Sequence, residues 1–256
     1  MQWFVILKKE ILENWRNFKW VWVPIVFIIF AVMDPLTTYY LPKIMDAVGG
    51  VPEGSIIDIP MPGAVEAMMM SFGELSLLGV LITVVIAMGV ISGEMKSGVY
   101  ELIMSKPVKY SNYITAKFAS VVLLILLSLI LALITGWYYV LILFGDIAFT
   151  ALLTSIAFYG CYFLLIIGIV LMVNTWVQSP GVVAFLSIIF IIALNALTSI
   201  YGHIFTWSPA LLSDYIQVYL ASGELVSEIW YSALVALLFT YLCLQFAILT
   251  LKNRAV

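Results

Sequence analysis

The chain has 256 residues, of which 64% are hydrophobic and only 10% charged, and its formal net charge is −3. A soluble domain carries roughly 25% charged residues, so this composition, with a mean hydropathy of +1.16, excludes a soluble globular protein. Cys161 and Cys243 both lie in apolar runs, spaced for neither a metal site nor a disulfide framework.

In residues 2–19, Trp3, Leu7, Ile11 and Trp15 recur every fourth position, with Phe4, Leu12 and Phe18 beside them and Lys8, Lys9, Glu13 and Arg16 on the remaining arc. That pattern predicts an amphipathic helix in the membrane interface, rings at headgroup depth and cations toward phosphate. The first apolar run is long and no small-residue cleavage site follows it, so it is read as a retained span rather than a signal peptide.

Six spans are expected, at about 20–41, 72–92, 118–143, 148–173, 182–201 and 229–251. Each is long enough to cross roughly 30 Å of hydrocarbon at about 1.5 Å per residue. The fold class is therefore an all-α polytopic membrane protein in one domain. Asp34-Pro35 is expected near the end of the first span, where the carboxylate is hydrated. Residues 42–70 carry Pro42, Gly49, Gly50, Pro52, Gly54, Pro60, Pro62 and Gly63, a density of breakers that predicts an irregular loop. Met68, Met69 and Met70 read as packing. Gly73, Gly79 and Gly89 in the second span are candidates for close helix contact. Residues 202–228 are of intermediate polarity and are expected to form short helices dipping into the outer leaflet, started at Ser208-Pro209.

Of the 11 basic residues, only Lys43 falls outside the amino-terminal segment, the 93–117 loop and the carboxy-terminal tail. By the positive-inside rule both termini and that loop are cytoplasmic. The 174–181 connection is uncharged and is placed on the same side by parity alone.

Nucleotide and metal-hydrolysis motifs are missing. No G-x-x-x-x-G-K-[ST] occurs, and His203 is the only histidine, so no H-E-x-x-H can exist. The span interiors offer mainly Asn195, Gln245, Thr83, Thr135, Thr198 and Asp34. Ion-coupled transporters use intramembrane charges, so a self-powered transporter is poorly supported and energy must come from elsewhere.

The polar stretch 93–117, GEMKSGVYELIMSKPVKYSNYITAK, is too charged for lipid. Glu94, Gly98, Glu101 and Ser105 fall on one face of a predicted helix, with Leu102 beside it. The Pro107 turn that follows ends that helix, and Ser111 is placed to cap the third span. This short helix across the mouth of two spans is read as a docking element; a merely solvated loop is the alternative.

Glu94-x-x-x-Gly98-x-x-Glu101-Leu102-Ile103-x-Ser105-x-Pro107-Val108, with Lys117 at the next span, resembles the type-2 ATP-binding-cassette exporter permeases. The likeness is to the short subfamily for sodium, peptide antibiotics and nitrous-oxide-reductase maturation. The order of elements matches over essentially the whole chain. Val99 and Lys106 stand where the family often has Thr and Arg. The resemblance implies a permease in a prokaryotic cytoplasmic membrane, paired with an identical or different second permease. It implies a separate ABC ATPase subunit holding ATP and Mg, docked on Glu94, Gly98, Glu101, Leu102, Ser105 and Pro107. No cofactor in this chain and no nucleic-acid partner is expected, and no substrate residue carries over. The rival readings are a non-transporting scaffold or immunity protein, and an ion-coupled transporter.

Overall fold

A computed structural model describes residues 2–48 and 61–254, and among them the chain is helical with no strand. Six helices are long and apolar enough to cross a membrane: Lys19–Met45, Ala64–Lys96, Tyr110–Leu143, Phe149–Asn174, Pro180–Tyr201 and Ser227–Arg254. All six expected spans are present. The second begins at Ala64 rather than Phe72 and the third at Tyr110 rather than Phe118.

An amino-terminal helix, α1 (Gln2–Arg16), precedes α2 (Lys19–Val48). Between them Phe18 takes a positive φ of 55°, which breaks the helix in a short turn. α2 corrects the expected end at Asp34-Pro35 and the expected loop from Pro42, because it runs through Pro24, Pro35 and Pro42. In lipid a carbonyl freed by proline must find another donor, and a neighbouring hydroxyl is enough. Pro35 has no N–H for Ala31, and the Ser71 hydroxyl donates to the Ala31 carbonyl at 2.5 Å instead. Gly136 of the third span makes room, since a Cβ there would lie 3.1 Å from Ser71 Oγ and 3.3 Å from Ala31 O. Residues 49–60, with Gly49, Gly50, Pro52, Gly54 and Pro60, lie outside the described residues. Asp34 is within hydrogen-bond reach of Glu74 across the first two spans.

The second span is segmented into α3 (Ala64–Glu74), a π-helical turn (Leu75–Gly79), α4 (Val80–Ala87) and α5 (Ser92–Lys96). After it come α6 (Val99–Met104), α7 (Tyr110–Leu143), α8 (Phe149–Asn174) and α9 (Pro180–Tyr201). α8 is the central post: Tyr159, Phe163, Ile166, Ile167 and Val170 are fully buried. Tyr159 meets Phe72 edge-on at 4.9 Å. Of the three glycines expected at helix contacts, Gly79 makes one, since a Cβ there would lie 3.5 Å from the Phe163 ring of α8 as well as 3.2 Å from Leu75 of its own span; a Cβ at Gly73 would meet nothing within 4 Å and one at Gly89 only Pro180 at 4.0 Å. Met68 is fully buried, in keeping with packing.

Between the fifth and sixth spans, Ser208 accepts from the Ala210 N–H at 3.4 Å and opens a 3-10 turn, Pro209–Leu211, that runs straight into α10 (Leu212–Ser222). In place of separate short helices, the 3-10 turn and α10 form one continuous helical element. Its Leu212 and Ile216 are buried, and Gly223 closes it with φ 75°. The last span is α11 (Ser227–Arg254).

Candidate functional site

The polar stretch is not one helix. Gly98 adopts φ 75°, the left-handed region that glycine enters without a Cβ penalty. Its N–H reaches back to Met95 O at 3.3 Å, ending α5, and α6 starts afresh at Val99. The break corrects the shared face expected for Glu94, Gly98, Glu101 and Ser105: Glu94 turns inward, and Glu101 is exposed.

Glu94 belongs to a buried ion network. Lys117, whose side chain is 1% exposed, lies 3.0 Å from Glu94 and 2.8 Å from Glu10. Its ammonium also donates to the Val90 carbonyl at 2.8 Å. Three donors thus meet three acceptors, the condition under which a buried ammonium is tolerated. Tyr113 donates its hydroxyl to the other Glu94 oxygen at 2.5 Å. Lys9 pairs with Glu10 and Glu13, each at 3.0 Å, and with Glu94. Burial by itself would lower the Lys9 pKa, but the Glu94 hydrogen bond and the Glu10 and Glu94 charges outweigh it and the pKa is raised. Glu10, Glu13 and Glu94 come close enough to share a cation, and the chain supplies that charge itself through Lys9 and Lys117.

This network explains how α1 sits. Its polar stripe faces the bundle, with Glu10 and Asn14 buried. Asn14 donates to Ser120 at 3.1 Å, Trp3 to Thr115 at 3.1 Å and Gln2 to the Pro107 carbonyl at 2.8 Å. Phe4, Leu12, Trp15 and Phe18 point outward. The amphipathic helix is therefore present, but two of its polar residues are inside the protein rather than toward phosphate. Ser111, expected as a cap, lies within the first turn of α7, whose N-cap is Lys109 with no side-chain bond.

α6 presents two sides. Tyr100, Ile103 and Met104 pack inward on the core, while Glu101, Leu102 and Ser105 are exposed. Leu102 is 71% exposed. Ser105 donates back to the Leu102 carbonyl at 2.9 Å and finishes the turn, and Pro107 follows on the surface. Two further residues tie this end together. Asn174 is fully buried; its Oδ1 accepts from the Ile91 and Ser92 N–H groups at 3.3 and 3.1 Å, and its Nδ2 donates to the Ala87 and Val170 carbonyls at 2.9 and 3.0 Å. It satisfies the backbone where the second span breaks between α4 and α5. Arg254 donates to the Trp176 carbonyl and reaches the Met95 sulfur. The 174–181 connection thus lies at the same end of the bundle as the polar stretch, α1 and the last residues of α11. Met95, Tyr100, Glu101, Trp176 and Arg254 line a groove of about 650 Å³ there.

In the other half of the bundle a largely apolar cavity of about 550 Å³ opens beside the π-helical turn, with Ser76, Tyr159, Tyr162, Asn195, Ser199 and Ser213 as its polar side chains. Ser76 and Tyr159 share a 2.7 Å hydrogen bond, and Asn195 bridges to Tyr162 at 3.2 Å. His203 is exposed beyond the far end of α9.

Sequence reasoning missed Glu10, Tyr113, Asn174 and Arg254, and read Lys117 as a loop charge. A signal existed for two of them: a lysine inside an apolar run needs a partner, and a lone amide at a span end needs backbone groups to bond.

The chain resembles known proteins over most of its length. The family model described as "ABC-2 family transporter protein" matches residues 4–219. A transmembrane protein of Bacillus subtilis (strain 168), named "Uncharacterized transmembrane protein YxlG", is 30% identical over 240 residues, covering 94% of this chain and 92% of that one. Six apolar helices, the segmented second span with its polar extension and a match of this extent together place the chain in the ABC-2 family of transporter proteins.

Proposed function

We propose that the chain is the permease subunit of an ATP-binding-cassette exporter in a prokaryotic cytoplasmic membrane. It pairs with a second permease and uses ATP and Mg bound by a separate ATPase. The observation that carries this reading is α6. It holds a 71% exposed leucine, Leu102, beside an exposed glutamate, on a segment too polar for lipid and at the end that gathers most of the chain's cations. With Val99, 37% exposed on the same short helix, Leu102 forms a small apolar patch rimmed by charge, and we read it as the docking contact.

In this reading Glu101 and Leu102 touch the ATPase, and Ser105 and Pro107 close the docking element. Gly98 sets the angle between α5 and α6. Glu94 works one step back, fixing α5 to α1 and α7 through Lys117. Movement of α6 is thereby carried into the second and third spans. Both termini lie on the cytoplasmic side. A cysteine at Asn253, in a background lacking Cys161 and Cys243, should then resist an impermeant thiol reagent added to intact cells, while one at His203 should react.

The docking assignment is tested by co-purification of the cognate ATPase in detergent, normalised to inserted permease. Glu101→Lys and Leu102→Ser should each reduce recovery and abolish transport, with membrane insertion unchanged. Changes at His203 or Glu224 should leave recovery intact. Wild-type recovery with both α6 variants would sink the assignment.

A further inference from the structure

We propose that the half-open cavity beneath the α1–α2 bend binds the headgroup of a zwitterionic aminophospholipid, its phosphate at Lys19 and its ammonium at Glu13. The proposal concerns lipid and stands apart from the permease reading.

The cavity measures about 480 Å³ and is formed by α1, the start of α2, the second span from Val85 to Ser97, Val99 of α6, and Lys117 and Val121 of α7. Its charged lining comprises Lys9, Lys19 and Lys117 against Glu10, Glu13 and Glu94. Five of these six are paired with one another. Lys19 is the exception: among the described residues its ammonium makes no ion pair and no hydrogen bond, although it is partly buried. A partly desolvated ammonium without a partner favours an anion beside it, and a lysine takes phosphate as a point charge.

The charges sum to zero, so a bare anion has no net field to draw it in. A headgroup carrying both signs does. Glu13 is within electrostatic reach of Lys19, and its side chain is 52% exposed. The depth is right for lipid. Phe18 holds a positive φ of 55°, a conformation uncommon for bulky residues and kept where surroundings impose it. That turn directs Lys19 to the cavity and Phe18 outward, 71% exposed, between Trp15 at 64% and Trp22 at 36%. Aromatic rings in such a row mark the headgroup level. Val85, part of the cavity wall, is 49% exposed, and Leu81, one helical turn away toward the apolar cavity, is 39% exposed; the two make a track on which an acyl chain can lie.

The experiment is thermal unfolding of the delipidated full chain in detergent, followed by tryptophan fluorescence. Phosphatidylethanolamine, phosphatidylglycerol and inorganic phosphate are titrated separately. Phosphatidylethanolamine should raise the melting temperature saturably and by more than phosphatidylglycerol, and inorganic phosphate should leave it unchanged. Lys19→Gln should remove most of that rise, Lys19→Arg should keep it, and Glu13→Gln should erase the preference over phosphatidylglycerol. Lys8→Gln, on the exposed side of α1, should behave as wild type. A full rise in Lys19→Gln, equal rises with the two lipids in the wild-type chain, or stabilisation by inorganic phosphate would each overturn the proposal. Should Lys19→Gln fail to fold, the Lys19→Arg and Glu13→Gln titrations decide it.

Discussion

Lys117→Met tests whether the buried network holds α1, α5 and α7 together. The ammonium faces Glu10 at 2.8 Å, Glu94 at 3.0 Å and the Val90 carbonyl at 2.8 Å. At an effective dielectric of about 20, each carboxylate attracts it by roughly 6 kcal/mol. Desolvation of the ions, several kcal/mol apiece, offsets most of that. The variant's main loss is compensation: Glu10 and Glu94 stay in place, and Lys9 alone faces Glu10, Glu13 and Glu94. Removing one partner of a buried pair costs about 3–5 kcal/mol. At about 2–4 °C per kcal/mol for a chain of this size, the melting temperature should fall by roughly 6–20 °C. Combining Lys117→Met with Glu10→Met and Glu94→Met removes the stranded charges, leaving Lys9 with Glu13. It should recover most of the loss, because apolar replacement of a whole buried ion group is often close to neutral. The assay is fluorescence-detected unfolding in one detergent, with membrane insertion checked separately. A single variant that melts within about 2 °C of wild type, or a triple variant less stable than the single, would refute this reasoning.

Asn174→Leu leaves the Ile91 and Ser92 N–H groups without a partner, while the Ala87 carbonyl keeps the Val90 N–H. At about 1–3 kcal/mol per stranded buried group, it should destabilise by at least about 2 kcal/mol and speed hydrogen exchange at those two amides. Gly98→Val should cost about 1–2 kcal/mol through the left-handed backbone, whereas Gly98→Asn, which tolerates that conformation, should cost less; a Cβ there meets nothing within 4 Å, so the difference in melting temperature reads strain alone. The raised pKa of Lys9 means that its contribution is fully present below the unfolded value, roughly 10.4, and is lost only as pH rises through the higher folded value. Lys9→Met should therefore lower the melting temperature equally at about pH 6 and about pH 9, and a penalty that shrinks between them would show that the pairing is wrong.

The spans were legible because hydropathy over some twenty residues is a local property. So was the turn at Ser208-Pro209, where a capping hydroxyl precedes proline. What escaped was long-range exchange of hydrogen-bond partners. Pro35 read as a helix end because the Ser71 hydroxyl and the space at Gly136 that accommodate it belong to other spans. Glu94 was grouped with Glu101 by helical spacing, and one residue between them, Gly98, undid the phase. A glycine in so short a polar segment was the available warning. The partners of Lys117 sit on α1 and α5, and nothing near it in sequence names them.

The inward polar stripe of α1 bears on the order in which the molecule assembles. Glu10 and Lys117 are 107 residues apart, which at about 5–20 residues per second is roughly 5–20 s of synthesis. Through that interval α1 has no bundle to join. Its outward ring of Phe4, Leu12, Trp15 and Phe18 can hold it on the membrane surface, with Glu10 served only by Lys9. When the third span enters, Lys117 arrives at the membrane edge to find a carboxylate already waiting. A charge costs about 2.5–3.5 kcal/mol at the centre of an inserting helix, less near its end, and docking of α1 then neutralises it. A helix translated ahead of every span thus becomes one of the last elements to settle, and it secures the third span only once that span is in place.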